Sequence, residues 1–261
     1  GARRAHAAHA PLVVGADGRL SFVARLVDSP AYAVVAPLNF PFYTYLVDVE
    51  PAETPAFELW ESPELGTLML TPCDDGLFMG VVYTPQEQYD AFRRDHERLF
   101  WERYTAEPRL APRLQSAKVV APIRGRGDLV NQLRVPAGPG WALVGDAAYH
   151  RDPLTGMGIG DAFLGAQLLA EALQRSDGGD LDAELAAYRD EYRERTTDAF
   201  DYTVSSAMLK DPAPQVPLYR AIAGRPEMTQ HLMNVLGGSV SFRSLFNART
   251  LAELLPSRVG R

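Results

Sequence analysis

Apolar and polar positions follow different rhythms along this chain, and each rhythm predicts an element. Pro11–Ala16 is a short apolar run, read as a buried strand ending at Asp17-Gly18. Tyr32–Val49 alternates as a strand: Tyr32, Val34, Ala36, Leu38, Phe40 and Phe42 share one face. The parity then passes to Tyr43, Tyr45, Val47 and Val49, and a switch beside Pro41 predicts a bulge or break. Short strands at Phe57–Glu61, Thr67–Thr71 and Leu77–Tyr83, separated by Pro, Gly and Asp, predict an antiparallel sheet. Pro85–Tyr104 reads as a helix with Pro85 in its first turn and Tyr89, Phe92, His96, Leu99 and Phe100 along one side. That spacing makes His96 an exposed or helix-packing residue rather than a catalyst.

Lys118–Arg124 and Leu129–Val135 predict a further strand pair, with Arg126-Gly127-Asp128 as its hairpin turn rather than an adhesion signal. Trp141–Val144 is another apolar run. From Gly158 onward apolar residues recur at helical spacing through Phe163, Leu164, Leu168, Leu169 and Leu173. After a polar break at Ser176–Asp180, a long amphipathic helix runs through Leu185, Tyr188, Tyr192, Ala199, Tyr202 and Leu209, and Asp211-Pro212 and Pro214 stop it. The pattern from Ala221 is mostly helical, with breaks at Gly224-Arg225-Pro226 and Gly237-Gly238.

Composition narrows the class. A chain of 261 residues, 46% hydrophobic and 23% charged, has the make-up of one large or two small globular domains. The net charge of -7 argues against a nucleic-acid surface. The single cysteine, Cys73, cannot form an intrachain disulfide and reads as a small buried hydrophobe in a reducing compartment. No apolar run approaches transmembrane length, and Gly1–Ala10 holds two arginines without an apolar core. No export signal is read there, and the expected location is cytoplasmic.

The stretch Trp141–Leu173 carries the chemistry. A strand ends at Gly145-Asp146, a polar loop passes Pro153, and Gly156-Met157-Gly158 opens a helix. A carboxylate at a strand tip can accept hydrogen bonds from sugar-alcohol hydroxyls. Glycines at a helix start let a flat ligand approach the backbone, and the helix N-terminus favours negative charge. The plainer reading is a strand-turn-helix whose Asp caps the helix. Taken whole, Gly145-Asp146, Pro153 and Gly156-x-Gly158 resemble the second flavin-binding motif of the single-component FAD-dependent monooxygenases, the family of para-hydroxybenzoate hydroxylase. The wording of Gly138–Pro153 is similar to a bacterial branch of it. Upstream, V-V-G-A-D-G-R-x-S-x-V-A-R resembles the family's D-G motif, in which Ser21 and Arg25 would fix the loop.

The resemblance implies an α/β FAD/NAD(P)-binding fold. Residues 1–31 and 136–175 would be flavin-domain segments, 32–135 an inserted, mostly antiparallel substrate sheet, and 176–261 a helical C-terminal region. It implies cofactor contacts from Asp17, Gly18, Gly145, Asp146, Pro153, Gly156, Met157 and Gly158. It further implies FAD as cofactor, NAD(P)H as transient reductant, oxygen as co-substrate, and hydroxylation of an aromatic or hydrophobic small molecule. The cofactor carries such chemistry, so no nucleophilic triad and no metal is expected. Phe40, Phe42, Tyr43 and Tyr45 would wall the substrate, although aromatic stripes more often pack cores. His150 and Arg151 either donate to flavin or substrate or are satisfied within the loop.

The family's G-x-G-x-x-G, which follows its opening strand and holds the ADP half of FAD, has no counterpart here in that context. The expectation is that the supplied chain is a fragment, that a second polypeptide provides the N-terminal βαβ region, or that the region has been lost. Other activities on the same scaffold stay open. One is a flavin-dependent halogenase, whose W-x-W-x-I-P signature is absent, since Trp60, Trp101 and Trp141 stand apart. The others are a flavin-dependent double-bond reductase and a non-catalytic partner subunit.

Overall fold

The computed structural model describes residues 9–177 and 179–254, so the reading of Gly1–Ala10 falls almost wholly outside the described residues. In chain order the first elements are β1 (Val13–Gly15), α1 (Phe22–Leu26), β2 (Ala31–Val35), β3 (Asn39–Val47), β4 (Glu58–Ser62), β5 (Gly66–Pro72) and β6 (Phe78–Pro85). Two helices follow, α2 (Tyr89–Arg94) and α3 (His96–Ala106). Then come the short strands β7 (Lys118–Val119), β8 (Arg124–Gly125), β9 (Asn131–Arg134), β10 (Ala137–Gly138), β11 (Trp141–Leu143) and β12 (Tyr149–His150). The rest is helical: α4 (Gly158–Arg175), α5 (Leu181–Ala207), α6 (Val216–Ala223), α7 (Pro226–Leu236), α8 (Phe242–Leu245) and α9 (Ala248–Leu254).

Three sheets organise these elements. β1 and β11 pair in parallel, Val13 opposite Trp141, so the strands ending at Asp17 and Asp146 lie side by side. β10 closes one edge of that sheet. A second sheet, in the order β12-β9-β2, is antiparallel throughout. The third runs β4-β5-β6-β3-β7, with β8 also on β3, and is antiparallel. A core of Leu143, Leu168, Leu169, Tyr188 and Tyr192 joins the first sheet to α4 and α5. A second core lies under α2 and α3, and a third gathers Met157 with α5 to α9.

The antiparallel sheet corrects several expectations. The break falls at Ala36–Leu38, between β2 and β3, and Pro41 lies inside β3 opposite Tyr83. There is no parity switch: Phe40, Phe42, Thr44 and Leu46 all face the helix-covered core, while Tyr43 and Tyr45 face away. Thr44 is tolerated there because its hydroxyl donates to the Ala121 carbonyl at 2.6 Å. Pro85 ends β6 instead of starting a helix, and the helical stretch splits at Asp95, whose φ of -146° is not helical. β8 and β9 belong to different sheets, so Arg126-Gly127-Asp128 is a crossover and not a hairpin turn. Cys73 is exposed, not buried.

Phe40 and Phe42 are therefore core, not substrate wall. Phe40 is wholly buried and meets Phe42, Tyr89 and Phe92 edge-on at centroid distances of 5.6, 5.1 and 5.4 Å. His96 stacks on Phe42 at 5.8 Å, the packing role its spacing suggested. Emptying such a site costs transfer energy plus a cavity. Phe40→Ala is expected to lower unfolding free energy by about 3–5 kcal/mol in urea denaturation. Tyr43→Ala, on the half-exposed face, should cost about 1 kcal/mol or less. Equal losses would place both rings in one core.

Candidate functional site

The two strand-tip carboxylates behave differently. Asp17 turns back on its own chain: Oδ1 accepts from the Ser21 hydroxyl at 2.5 Å, and Oδ2 from the Phe22 and Val23 amides at 2.6 and 3.1 Å. These bonds cap α1 and hold the Asp17 carboxyl below the usual range, Ser21 contributing most. Both of its oxygens are engaged within the loop, and Asp17 itself is not among the residues lining the cavity described below. Gly18, in the left-handed region at φ 79°, does face the cavity described below. Arg19 ties the loop to Asp128 at 3.0 Å. Asp128 also pairs with Arg126, and the hydrogen bond from Arg126 leads in pulling its carboxyl down to about 2.

Asp146 is the contrast. It is exposed at the tip of β11, and among the described residues no donor reaches its carboxylate. It opens onto a cavity of about 830 Å³ whose lining includes Gly18, Gly145, Pro153, Gly156, Gly158 and Phe163. Gly156, at φ 67°, ends the Pro153–Thr155 turn in a conformation that L side chains rarely adopt. A Cβ at Gly156 or Gly158 would meet nothing within 4 Å, so the backbone is bare toward the cavity. α4 begins there, with no side chain capping its first amides. Those N–H groups stay available to an acceptor, and the helix dipole favours negative charge. Met157 points the other way, into the C-terminal core, and does not line the cavity.

The residues present fit the flavin end of FAD. A free carboxylate suits ribityl hydroxyls, open glycines admit a flat ring, and uncapped amides suit the electron-rich edge of that ring. Leu129, Ile159 and Phe163 add apolar surface.

His150 and Arg151 both line the cavity, and each is anchored by contacts within the protein, while Nε of Arg151 has no partner among the described residues. His150 Nδ1 lies 2.6 Å from the Val130 carbonyl. Arg151 is buried, stacks on Tyr149, and donates to the Ala199 carbonyl and the Thr203 hydroxyl, each at 3.0 Å. Its other terminal nitrogen lies 2.6 Å from Asp161 in the first turn of α4. Burial raises the Asp161 carboxyl and Arg151 opposes that rise.

Asp152 is a site residue that the sequence reading passed over. It is 1% exposed and lies in the cavity wall. Its Oδ1 accepts from the Leu154 amide at 2.9 Å, while Oδ2 has no donor. Asn39 is its hydrogen-bonding neighbour and turns its own amide N–H to the Ala207 carbonyl, leaving its Oδ1 unpaired. Burial pushes the Asp152 carboxyl up to about 6, against the Leu154 amide and Asn39, which lower it. The only advance signal was a second carboxylate directly before Pro153.

No protein-family model matches the chain. The fold is that of the FAD-dependent halogenases and monooxygenases, and the chain is distantly similar to them in structure and sequence over part of their length. A 1H-pyrrole-2-carbonyl-[peptidyl-carrier protein] brominase of Pseudoalteromonas luteoviolacea (strain 2ta16) is 25% identical over 122 residues, 46% of this chain and 30% of that protein. The flavin-dependent brominase Bmp2 superposes with a TM-score of 0.70 at 19% identity, over 90% of this chain and 60% of its own. PqsL of Pseudomonas aeruginosa, described as a probable FAD-dependent monooxygenase, gives 0.53 at 22% identity, over 76% and 55%. The chain thus spans less than two thirds of each. Among the described residues no helix is long and apolar enough to cross a membrane, and no three metal-binding side chains cluster.

Asp152 gives the site a pH signature. Its folded-state pKa lies above the unfolded value, so the native state holds the proton longer, and stability falls as pH rises from about 4 through about 6. Asp152→Asn keeps an acceptor for Leu154 and cannot ionise. Its stability advantage over the parent should grow by roughly 2–3 kcal/mol between pH 4 and pH 7. Denaturation at several pH values measures it, and a pH-independent difference would exclude Asp152 as the titrating group.

Proposed function

We propose that the cavity at Asp146 holds the flavin of FAD, and that the protein hydroxylates an aromatic or hydrophobic small molecule with NAD(P)H and oxygen. The observation that carries this reading is the free Asp146 carboxylate facing bare glycines and an uncapped helix start. FAD, when bound, would take two electrons from NAD(P)H and pass them to oxygen, one atom of which would go to the substrate and the other to water. The chain's own part is to bind and orient. Asp146 accepts from the ribityl hydroxyls, and the amides at Gly158 and Ile159 face the electron-rich edge of the ring. Leu129 and Phe163 give the site apolar surface, and Asp152, raised to about 6, is a carboxyl in its wall that takes up a proton as pH falls.

A second reading, halogenation, is favoured by the likeness to two brominases and opposed by the missing W-x-W-x-I-P. The products separate the two: oxygenation adds an oxygen atom without halide, whereas halogenation requires chloride or bromide and adds it.

The proposal extends to a further segment over the cavity. Among the described residues β1 has one edge unpaired, and Val13, Val14, Ile159 and Phe163 are exposed. Parallel strands are normally covered on both faces, and open edges invite another strand. A strand-turn-helix carrying G-x-G-x-x-G, from the same or a second polypeptide, would cover this face and bind the adenosine end.

Absorbance titration of flavin into residues 1–261 tests the assignment. Asp146→Ala should lose roughly 1.5–3 kcal/mol of flavin affinity, the worth of a hydrogen bond to a charged group. Riboflavin should bind within a few-fold of FAD, because the lining residues address only the shared end. Unchanged affinity in a folded Asp146→Ala protein sinks the site. A large preference for FAD would show that this chain reads the adenosine too.

A further inference from the structure

His150 differs from its neighbours in the wall of the Asp146 cavity. It stands on β12, opposite Gln132 of β9, and is half-buried. Its Nδ1 lies 2.6 Å from the Val130 carbonyl. A carbonyl oxygen only accepts, so Nδ1 carries the proton of the neutral imidazole and donates it there. That bond fixes the tautomer and leaves the lone pair on Nε2. Among the described residues nothing donates to Nε2, and it is not sealed in the protein as Oδ2 of Asp152 and Nε of Arg151 are. Asp152 and Arg151 are 1% and 5% exposed, so of the four ionisable side chains in this lining Asp146 and His150 are the two open to a bound molecule.

The other elements around the cavity bring no acceptor side chain. α4 contributes Gly, Ala, Ile and Phe, and the loop after β1 contributes Ala16 and Gly18. The uncapped amides at the start of α4 donate and cannot accept. A ring edge that reads carbonyl, N–H, carbonyl finds donors for its carbonyls there, while its N–H needs an acceptor from elsewhere. Asp146, at the tip of β11, is matched to the ribityl hydroxyls. His150 offers a lone pair without a charge.

We propose that His150 is the acceptor that selects the ring held in the Asp146 cavity: Nε2 takes a hydrogen bond from the N–H that stands between two carbonyls on the flavin's pyrimidine ring. His150 thereby adds discrimination to the site, on the flavin reading given above. Only the neutral imidazole can do this. At acid pH the imidazolium has no lone pair and sets a positive N–H against the ring N–H, so the bond is lost. The charged groups in the same wall are Asp146, Arg151 and Asp152, and of these Asp152 also takes up a proton as pH falls.

Riboflavin and 3-methylriboflavin, which lacks that N–H, are the probes, titrated into residues 1–261. At about pH 8 riboflavin should bind roughly five- to tenfold more tightly, the worth of one hydrogen bond. His150→Phe keeps a ring in place and should bring the two affinities together by weakening riboflavin. His150→Gln, whose Oε1 can replace Nε2, should keep part of the preference and lose its pH dependence. In the parent the preference should fade toward about pH 5. It should fade likewise in Asp152→Asn, which takes the neighbouring carboxyl out of the titration. Asp146→Ala should weaken both probes alike. Nitrogen NMR needs no variant to fold: in the free protein at about pH 8 His150 should show Nδ1 protonated and Nε2 bare. Nε2 should then shift with riboflavin and not with the methylated probe. Equal binding of the probes by the parent, a preference that survives in folded His150→Phe, or a proton on Nε2 overturns the proposal and leaves the flavin site in place. A preference lost in Asp146→Ala assigns the N–H to that carboxylate and overturns it too. If neither probe binds, the flavin reading falls and this role of His150 falls with it.

Discussion

The buried guanidinium of Arg151 is the contact on which the arrangement of the cavity depends. It leaves the motif loop beside Asp152 and engages α5 through Ala199 and Thr203 and α4 through Asp161. Two helices, α4 and α5, are thereby fixed relative to one loop. A buried charge that lost one of these partners would stay desolvated and uncompensated, which costs several kcal/mol. The placing of Asp152 and Pro153 in the cavity wall follows from this anchor.

Much of the site was legible because its signals are local. A strand tip followed by glycines and a helical pattern places Asp146, Gly156 and Gly158 at one crevice. The difference between the carboxylates was also local. Ser21 and the first amides of α1 lie within five or six residues of Asp17, close enough to consume its oxygens. Asp146 is followed by a short turn and β12, so no helix starts within its reach. What the sequence hid was long-range. Whether Phe40 and Phe42 face a ligand or a helix depends on α2 and α3 folding over β3, and periodicity gives only the face, not its cover. The break at Ala36–Leu38 was misplaced because Pro41 looked more disruptive inside a strand than it is. Its position needs only a carbonyl there, and that carbonyl accepts from the Arg126 amide at 3.2 Å.

Distant similarity and geometry carry different parts of the reading. At 19–25% identity the relatives establish a shared chain path. They do not distinguish oxygenation from halogenation, since both occur on it. What the geometry of this chain adds is local: a buried Asp152 carboxyl raised to about 6 in the cavity wall, and Met157 turned away from the glycines on either side of it.

α5 is a single rod of 27 residues, about 40 Å long at 1.5 Å per residue. Neighbouring residues near its end face different ways: Thr203 accepts from Arg151 behind the Asp146 cavity, and Tyr202 lines a second cavity, of about 510 Å³, between β4, β5 and the C-terminal helices. Both side chains stand on one stretch of helical backbone, so the axis of α5 sets the position of the Arg151 acceptor and of that second wall together.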